Sequence, residues 1–390
     1  MLQHCRRKTM PDLGRDGAEL EALGALWTAR EIEQQPRMLR KTQETLEARS
    51  GTLDDFLRPL LQNQAMRILL TGAGSSAFIG ECLSPYLGAK LHRRVDAIPT
   101  TDLICAPHLY FSEQEPTLLV SFARSGNSPE SIAAVQLAER FLPETHHLVV
   151  TCNPDGALAR NSPGTTILLP EETHDRSFAM TSSFSCMMYA ALAALSGIDR
   201  MQARAPRIAQ AVERLIEREL ETLRGLAAKK YERVVYLGSH VFKGLAREAA
   251  LKLLELTDGQ MIAAYDSPLG FRHGPKTIVN GRTLVVIYLS NDAYTRRYDV
   301  DLLEEIRRDA AAGSVLAISA REEGIAADVE CILVRDMHDA EDVDLLFPFV
   351  AAAQIFAFEA AIDQKTSPDN PNKTGTVHRV VQGVRIHAFG

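Results

Sequence analysis

Glu248, Lys252 and Glu255 stand at i, i+4 and i+7 in GLAREAALKLLELTDG, residues 244–259, so a helix there puts all three on one narrow face. The other positions are nearly all Ala and Leu, as in a helix buried around most of its circumference. Charge on a buried helix is costly unless it is paired or functional. The bland alternative is a solvent-facing salt-bridge stripe, the common use of Glu–Lys pairs. A few residues on, YDSPLGFRHGPKT places His273 before Gly-Pro, in a turn. A single loop histidine is more often structural or merely exposed. Together with a carboxylate it supplies the acid and base that proton transfer requires.

Two other stretches have the chemistry of ligand loops. In LLVSFARSGNSPESI, residues 118–132, an apolar run stops and a polar turn opens a helix. Ser128 as a cap and Pro129 in the first turn account for the Ser-Pro pair. They do not account for Arg124, Ser125, Gly126 and Asn127. Free backbone N–H groups at a helix start, a flexible Gly, hydroxyl donors and an Arg suit a phosphomonoester. In TGAGSSAFIG, residues 71–80, Gly72, Gly74 and Ala77 match the G-x-G-x-x-A dinucleotide fingerprint, with Asp96 as the candidate ribose ligand. Ser75 and Ser76 argue against that reading, because a pyrophosphate site offers mainly backbone. A third stretch, HDRSFAMTSSFSCMMYAAL, sets Thr181, Ser182, Ser183 and Ser185 at the start of an apolar helix. Capping uses one of the four; the rest are ligand contacts or polar spacers.

The elements that must hold these loops come in two sets. RILLTGAG (67–74), TLLVSFA (117–123) and HLVVTC (147–152) are followed by RVVYLGSH (233–240), TLVVIYLS (283–290) and SVLAISA (314–320). Thr117 and Thr283 are 166 residues apart, as are Gly72 and Gly238, and Thr151 and Ser319 are 168 apart. Continuous apolar runs of this length suit strands buried on both faces of a parallel sheet. Helical patterns between them complete βαβ units. The expected fold is therefore α/β: two tandem three-layer αβα doubly wound domains with parallel sheets. The expected division is an N-terminal helical segment (1–50), a first domain (51–207), a linker helix (208–231), a second domain (232–365) and a C-terminal tail (366–390). Ligands in such sheets sit outside the carboxyl ends of the strands, where both ligand loops fall. The second domain's counterpart of the 124–128 loop, LSNDAYTRRY, lacks the Ser-Gly-x-Ser pattern.

The 390 residues suffice for two domains. A net charge of −7 with no basic stripe gives no reason to expect nucleic acid. No run of 18 or more apolar residues is present, so no membrane span is expected, and the basic N-terminus lacks the apolar core of a secretory signal. Six cysteines without Cys-x-x-Cys spacing read as reduced thiols of a cytoplasmic protein. The scattered histidines lack zinc-ligand spacing, so no metal is expected.

Taken together, these motifs resemble the sugar isomerase (SIS) family, nearest the isomerase half of glucosamine-6-phosphate synthase and its stand-alone relatives. The resemblance spans most of the chain: EIEQQP (31–36), GAGSSA (72–77), ARSGNS (123–128), EAALKLLEL (248–256) and FRHGP (271–275). SFAMTSSFS (177–185) and TGTVHRVVQGVRIH (374–387) are similar to the galactosamine-6-phosphate deaminase/isomerase group, also named tagatose-6-phosphate ketose/aldose isomerase. The resemblance implies a flavodoxin-like fold and an enzyme without cofactor, acting on a sugar phosphate. Gly74, Ser75 and Ser76 would line the sugar end, and Ser125, Gly126 and Ser128 would cradle the phosphate, with Arg124 where the synthase has Gln. Thr181 would touch the sugar and Glu255 would move a proton between C1 and C2. Glu248 and Lys252 would support the group at C2. His273 would help to open the ring, donated from a neighbouring subunit of a homodimer or homotetramer.

The sequence departs from that pattern in places. Ala123 replaces the first Ser of the phosphate loop. The synthase's C-terminal Lys has no clear match, although Thr376, His378 and Arg379 lie in that region. A glutaminase domain like the synthase's is not expected, since Cys5 is not placed as its nucleophile, and ammonia is therefore not expected to come from glutamine. Simple aldose–ketose isomerisation, and a non-catalytic sugar-phosphate sensor on the same fold, are the competing expectations.

Overall fold

The computed structural model describes residues 11–112, 114–381 and 383–389, so Cys5 lies outside the described residues. The first sheet contains β1 (Arg67–Thr71), β2 (Val95–Ala97), β3 (Thr117–Ala123), β4 (Thr145–Thr151) and β5 (Thr165–Leu168), in the order β2-β1-β3-β4-β5. The second contains β6 (Arg233–Gly238), β7 (Ile262–Asp266), β8 (Thr283–Tyr288), β9 (Ser314–Ser319) and β10 (Glu330–Leu333), in the order β10-β9-β8-β6-β7. Every pairing is parallel. Counted from its own first strand, each sheet runs 2-1-3-4-5, the flavodoxin-like order.

The six apolar runs are the six central strands. The four strands that composition does not announce, β2, β5, β7 and β10, are the four sheet edges. Central strands are covered on both faces and must be apolar throughout; β1, β3 and β8 are buried along their whole length. An edge strand keeps one side near solvent and is shorter and more polar, as in the half-buried Val95–Ala97.

The helices that position the site are α1 (Leu26–Glu33), α2 (Gln35–Glu47), α3 (Ser75–Leu91), α4 (Pro129–Phe141), α5 (Ser182–Ser196), α6 (Ile198–Ala227), α7 (Val241–Leu256), α8 (Ala293–Asp309) and α9 (Asp342–Asp363). The linking helix starts ten residues earlier than its polar pattern suggests. It starts because Gly197 (φ 111°) ends α5, and it continues through Pro206 because Met201, Ala205, Ile208, Ala209 and Val212 keep one buried face. By length and composition α9 is apolar enough to cross a membrane; here it is a buried core helix packed against α6 and α7.

Two glycine contacts bring the chemistry together. A Cβ at Gly72 would lie 2.6 Å from the Ser76 carbonyl carbon, and one at Gly238 would lie 2.5 Å from the Phe242 oxygen. Both glycines let a helix start directly beneath its strand, at the same place in each domain. At Gly244 a Cβ would lie 2.6 Å from the Cys82 nitrogen. This packs α7 of the second domain against α3 of the first.

The described residues of the C-terminal segment form no helix or strand, yet several of them are tied down. Thr366 Oγ1 donates to the Leu256 carbonyl at the end of α7 (2.7 Å). The Asp369 carboxylate accepts from Thr28 N and Oγ1, both at 2.7 Å. Asn372 Nδ2 donates to Asp258 (3.0 Å), and the Phe389 ring meets Phe141 edge-on at 5.2 Å.

Candidate active site

The close crossing at Gly244 sets the start of α3 against the middle of α7. Ser75 Oγ donates to Glu248 Oε1 at 3.1 Å, Lys252 Nζ lies 3.5 Å from the same oxygen, and Lys252 also donates to Glu255. Glu248 and Lys252 are fully buried, and the Glu255 side chain is 24% exposed. The stripe is therefore no solvated salt-bridge face. It is a buried row of charges that reaches solvent only at Glu255. Burial pushes the Glu248 carboxyl up to about 7, against the pull of the Lys252 ammonium. Burial lowers the Lys252 pKa, but Glu248 and Glu255 outweigh it and the net shift is upward. Glu248 Oε2 has no hydrogen-bond partner among the described residues.

Both ligand loops fall at the carboxyl end of the first sheet. Gly74 (φ 55°) precedes α3. Ser76 is buried, and its hydroxyl faces the Met180 sulfur at 3.7 Å. In the second loop Gly126 takes φ 66°, a conformation suited to glycine, and packs on Gly156. Asn127 is a structural member of the loop: its Oδ1 accepts from Ala157 N (2.9 Å), while Asn153 Nδ2 holds the Ser125 carbonyl (2.7 Å). The Ser128 hydroxyl caps α4 through Ser131 N at 3.2 Å. Arg124 is buried and turns away from the loop. Its guanidinium donates to the carbonyls of Ser177 (3.4 Å), Phe178 (3.1 Å) and Arg379 (3.1 Å). It is close enough to Lys252 to oppose, weakly, the upward shift of that group.

The hydroxyl cluster at the start of α5 faces inward. Thr181, Ser182 and Ser183 all bond to the buried Asp175 carboxylate, and Ser185 donates to Gln35. Thr181 is itself fully buried. Asp175 is not among the sequence-predicted site residues; its signal in the sequence is three hydroxyls six to eight residues after an Asp. His273 follows a short helical turn (Pro268–Phe271) after the edge strand β7, and is exposed. Among the described residues no side-chain hydrogen bond or ion pair joins His273 to Glu255. Asp96, the candidate ribose ligand, is instead taken by Arg67 Nε (2.7 Å) and by Arg94.

A cavity of about 910 Å³ is lined by Trp27, Glu31, Arg37, His174, Arg176 and Arg379, among others; none of the residues of the acidic row or of the two ligand loops lines it. Among the described residues no group of three or more His, Cys, Asp or Glu side chains could hold a metal ion.

A SIS domain model matches residues 60–197. A Shewanella sp. protein named D-galactosamine-6-phosphate deaminase AgaS is 46% identical over 95% of this chain and 94% of its own length. An Escherichia coli protein of the same name is 44% identical over 93% of this chain and 96% of its own. This chain belongs to the AgaS family of SIS-domain proteins. The solved tagatose-6-phosphate ketose/aldose isomerase from Escherichia coli superposes with a TM-score of 0.86 at 40% identity, covering 98% of this chain and 99% of that one. The C-terminal domain of the Francisella tularensis glucosamine-fructose-6-phosphate aminotransferase shares the fold, with a TM-score of 0.73 at 16% identity, covering 88% of this chain and 98% of that one.

Proposed function

We propose that this AgaS-family protein converts galactosamine 6-phosphate to tagatose 6-phosphate and ammonia. The observation that carries the reading is the Ser75–Glu248–Lys252–Glu255 row. It ties the start of α3 to a row of the second domain that ends in one solvent-reaching carboxylate. In this reading the phosphate docks on the backbone and hydroxyls of Ser125, Gly126 and Ser128, at the start of α4. Gly74, Ser75, Ser76 and Thr181 bound the sugar end. His273, donated from a neighbouring subunit of a homo-oligomer, assists ring opening to the C1 aldehyde. Glu255 takes the C2 proton, giving an enolamine, and a proton returns at C1 to give a ketimine at C2. Water adds to that ketimine, and ammonia leaves. The substrate carbonyl takes up the electron pair, so the reading needs no cofactor. Lys252 holds Glu255 in place, and in this reading the partnerless oxygen of Glu248 is the acceptor for the group at C2. A reduced, cytoplasmic setting goes with the reading.

The test is to incubate the protein with galactosamine 6-phosphate and, separately, glucosamine 6-phosphate, assaying ammonia and ketose together, with Glu255→Gln alongside. Ammonia from the galacto substrate, lost in the variant by a factor of about 100 or more, is the expected result. Ketose without ammonia would make the protein a simple isomerase with the same base. Sugar-phosphate binding without turnover would make it a sensor. An undiminished variant would sink Glu255 as the base.

A further inference from the structure

We propose that Asp175 is a positioning residue that holds both ligand loops of the first domain in their working geometry; the proposal rests on the reading that those loops bind a sugar phosphate. Residues 174–181 are irregular backbone between a short 3₁₀ turn (Glu171–Thr173) and α5, and much of this segment is buried. Buried irregular backbone needs partners for its N–H and C=O groups. Two carboxylates supply the acceptors. Glu31 of α1 accepts from Ser177 N (3.2 Å) and Ser177 Oγ, and from Arg176 N. Asp175, 1% exposed, accepts from Thr181 N (2.8 Å), Ser183 N (2.9 Å), Thr181 Oγ1 (3.3 Å), and the hydroxyls of Ser182 and Ser183. One side chain thus closes the segment on itself and starts α5.

The other side of the segment carries the ligand loops. The carbonyls of Ser177 and Phe178 hold the Arg124 guanidinium, and the Met180 sulfur meets the Ser76 hydroxyl. The Asp175 carbonyl itself accepts from Arg379, whose own carbonyl accepts from Arg124. Capping a helix uses one or two N–H groups. Five donors on one carboxylate, with a residue of each ligand loop resting on the stretch it closes, go beyond that need. Asp175 touches no ligand in this arrangement; it acts through Arg124 and Ser76.

The experiment uses the full-length Asp175→Asn variant, whose amide nitrogen cannot accept a hydrogen bond. Expected is a rise in KM for galactosamine 6-phosphate of about tenfold or more, with kcat within about threefold of wild type. A second readout needs no turnover. Trp27 is the chain's single tryptophan, and the Arg176 guanidinium lies 4.2 Å from its ring centroid. Displacement of the segment is therefore expected to shift the Trp27 emission and to weaken binding of inorganic phosphate. Unchanged KM, phosphate affinity and emission, with only a lowered melting temperature, would reduce Asp175 to a helix cap. If Asp175→Asn fails to fold, Ser183→Ala removes one donor and is expected to raise KM about two- to fivefold; no change there would also overturn the proposal. Absence of turnover in wild type would fail the deaminase reading alone, because emission and phosphate binding would still decide the role of Asp175.

Discussion

At the end of β3 the chain turns through Arg124–Ser128 into α4, and at the end of β8 it turns through Ser290–Asp292 into α8, yet the two turns face different partners. In the second domain the donors are already taken. Ser290 N donates to Asp299 (3.0 Å) and Asn291 N to Asp342 (2.7 Å), while Ser239 and Ser290 give their hydroxyls to the same two carboxylates. His240 Nε2 lies 2.9 Å from Asp342 as well. In the first domain no carboxylate bonds to the 125–128 backbone among the described residues. Both helices keep a side-chain cap, Ser128 in one and Asp292 in the other. One fold thus offers the same strand-end turn twice, once bonded to the chain's own carboxylates and once, among the described residues, without one.

The largest expected effect lies where the two domains meet. Lys252→Met strips Glu248 of its ammonium partner inside a fully buried helix interface. About 3–5 kcal/mol of stability should be lost in urea unfolding, the usual result of orphaning a buried charge, together with turnover. Adding Glu248→Gln should return most of the stability and none of the turnover. A stable Lys252→Met single variant would show that Glu248 is held neutral and that the row is no charge network.

Next in size is Gly126→Ala. A left-handed φ of 66° costs a non-glycine residue about 1–2 kcal/mol, and the new Cβ would lie 3.3 Å from Gly156 Cα. Binding of inorganic phosphate, followed by calorimetry, should weaken at least tenfold. Unaltered affinity would place the phosphate elsewhere.

A smaller effect inverts the comparison. Asp342→Ala removes the internal anion from the second domain's turn and frees Asn291 N and the Ser290 hydroxyl. The variant should be less stable than wild type, and millimolar inorganic phosphate should raise its melting temperature more than that of wild type, by mass action on the native state. Equal shifts would mean that the second turn collapses when emptied.

The same contrast shows what a sequence can carry. The six central strands are legible because double-sided burial leaves no room for polar positions. The four edges are silent because solvent accepts almost any residue there. Glu248, Lys252 and Glu255 are legible as one helical face. Their partner Ser75 is not, since it lies 173 residues away and meets them only because Gly244 lets two helices touch. The direction of Arg124 is likewise unreadable: a phosphate-loop arginine and one that holds carbonyls have the same local sequence. Asp175 needed the folded loop to bring its five donors round.

The smallest effect separates the N-terminal segment from the second domain by pH. Burial, then the neighbouring Asp175 charge, pushes the Glu31 carboxyl up to about 8. Asp299 in the second domain is pushed by burial to about 6. An acid whose folded pKa is raised binds more protons folded than unfolded, so stability falls as pH rises through that window. The Asp299 contribution is spent between its ordinary value near 3.8 and about 6, and that of Glu31 between 4.5 and about 8. Above about pH 6.5, therefore, Glu31 is the member of this pair that still titrates. Glu31→Gln should shallow the decline of melting temperature across the whole span from pH 4.5 to 8, the part above 6.5 included. Asp299→Asn should shallow only the part below about pH 6 and leave the decline above 6.5 in place. If Asp299→Asn also flattens the decline above pH 6.5, the two clusters titrate as one, and they are electrostatically less separate than the two turns.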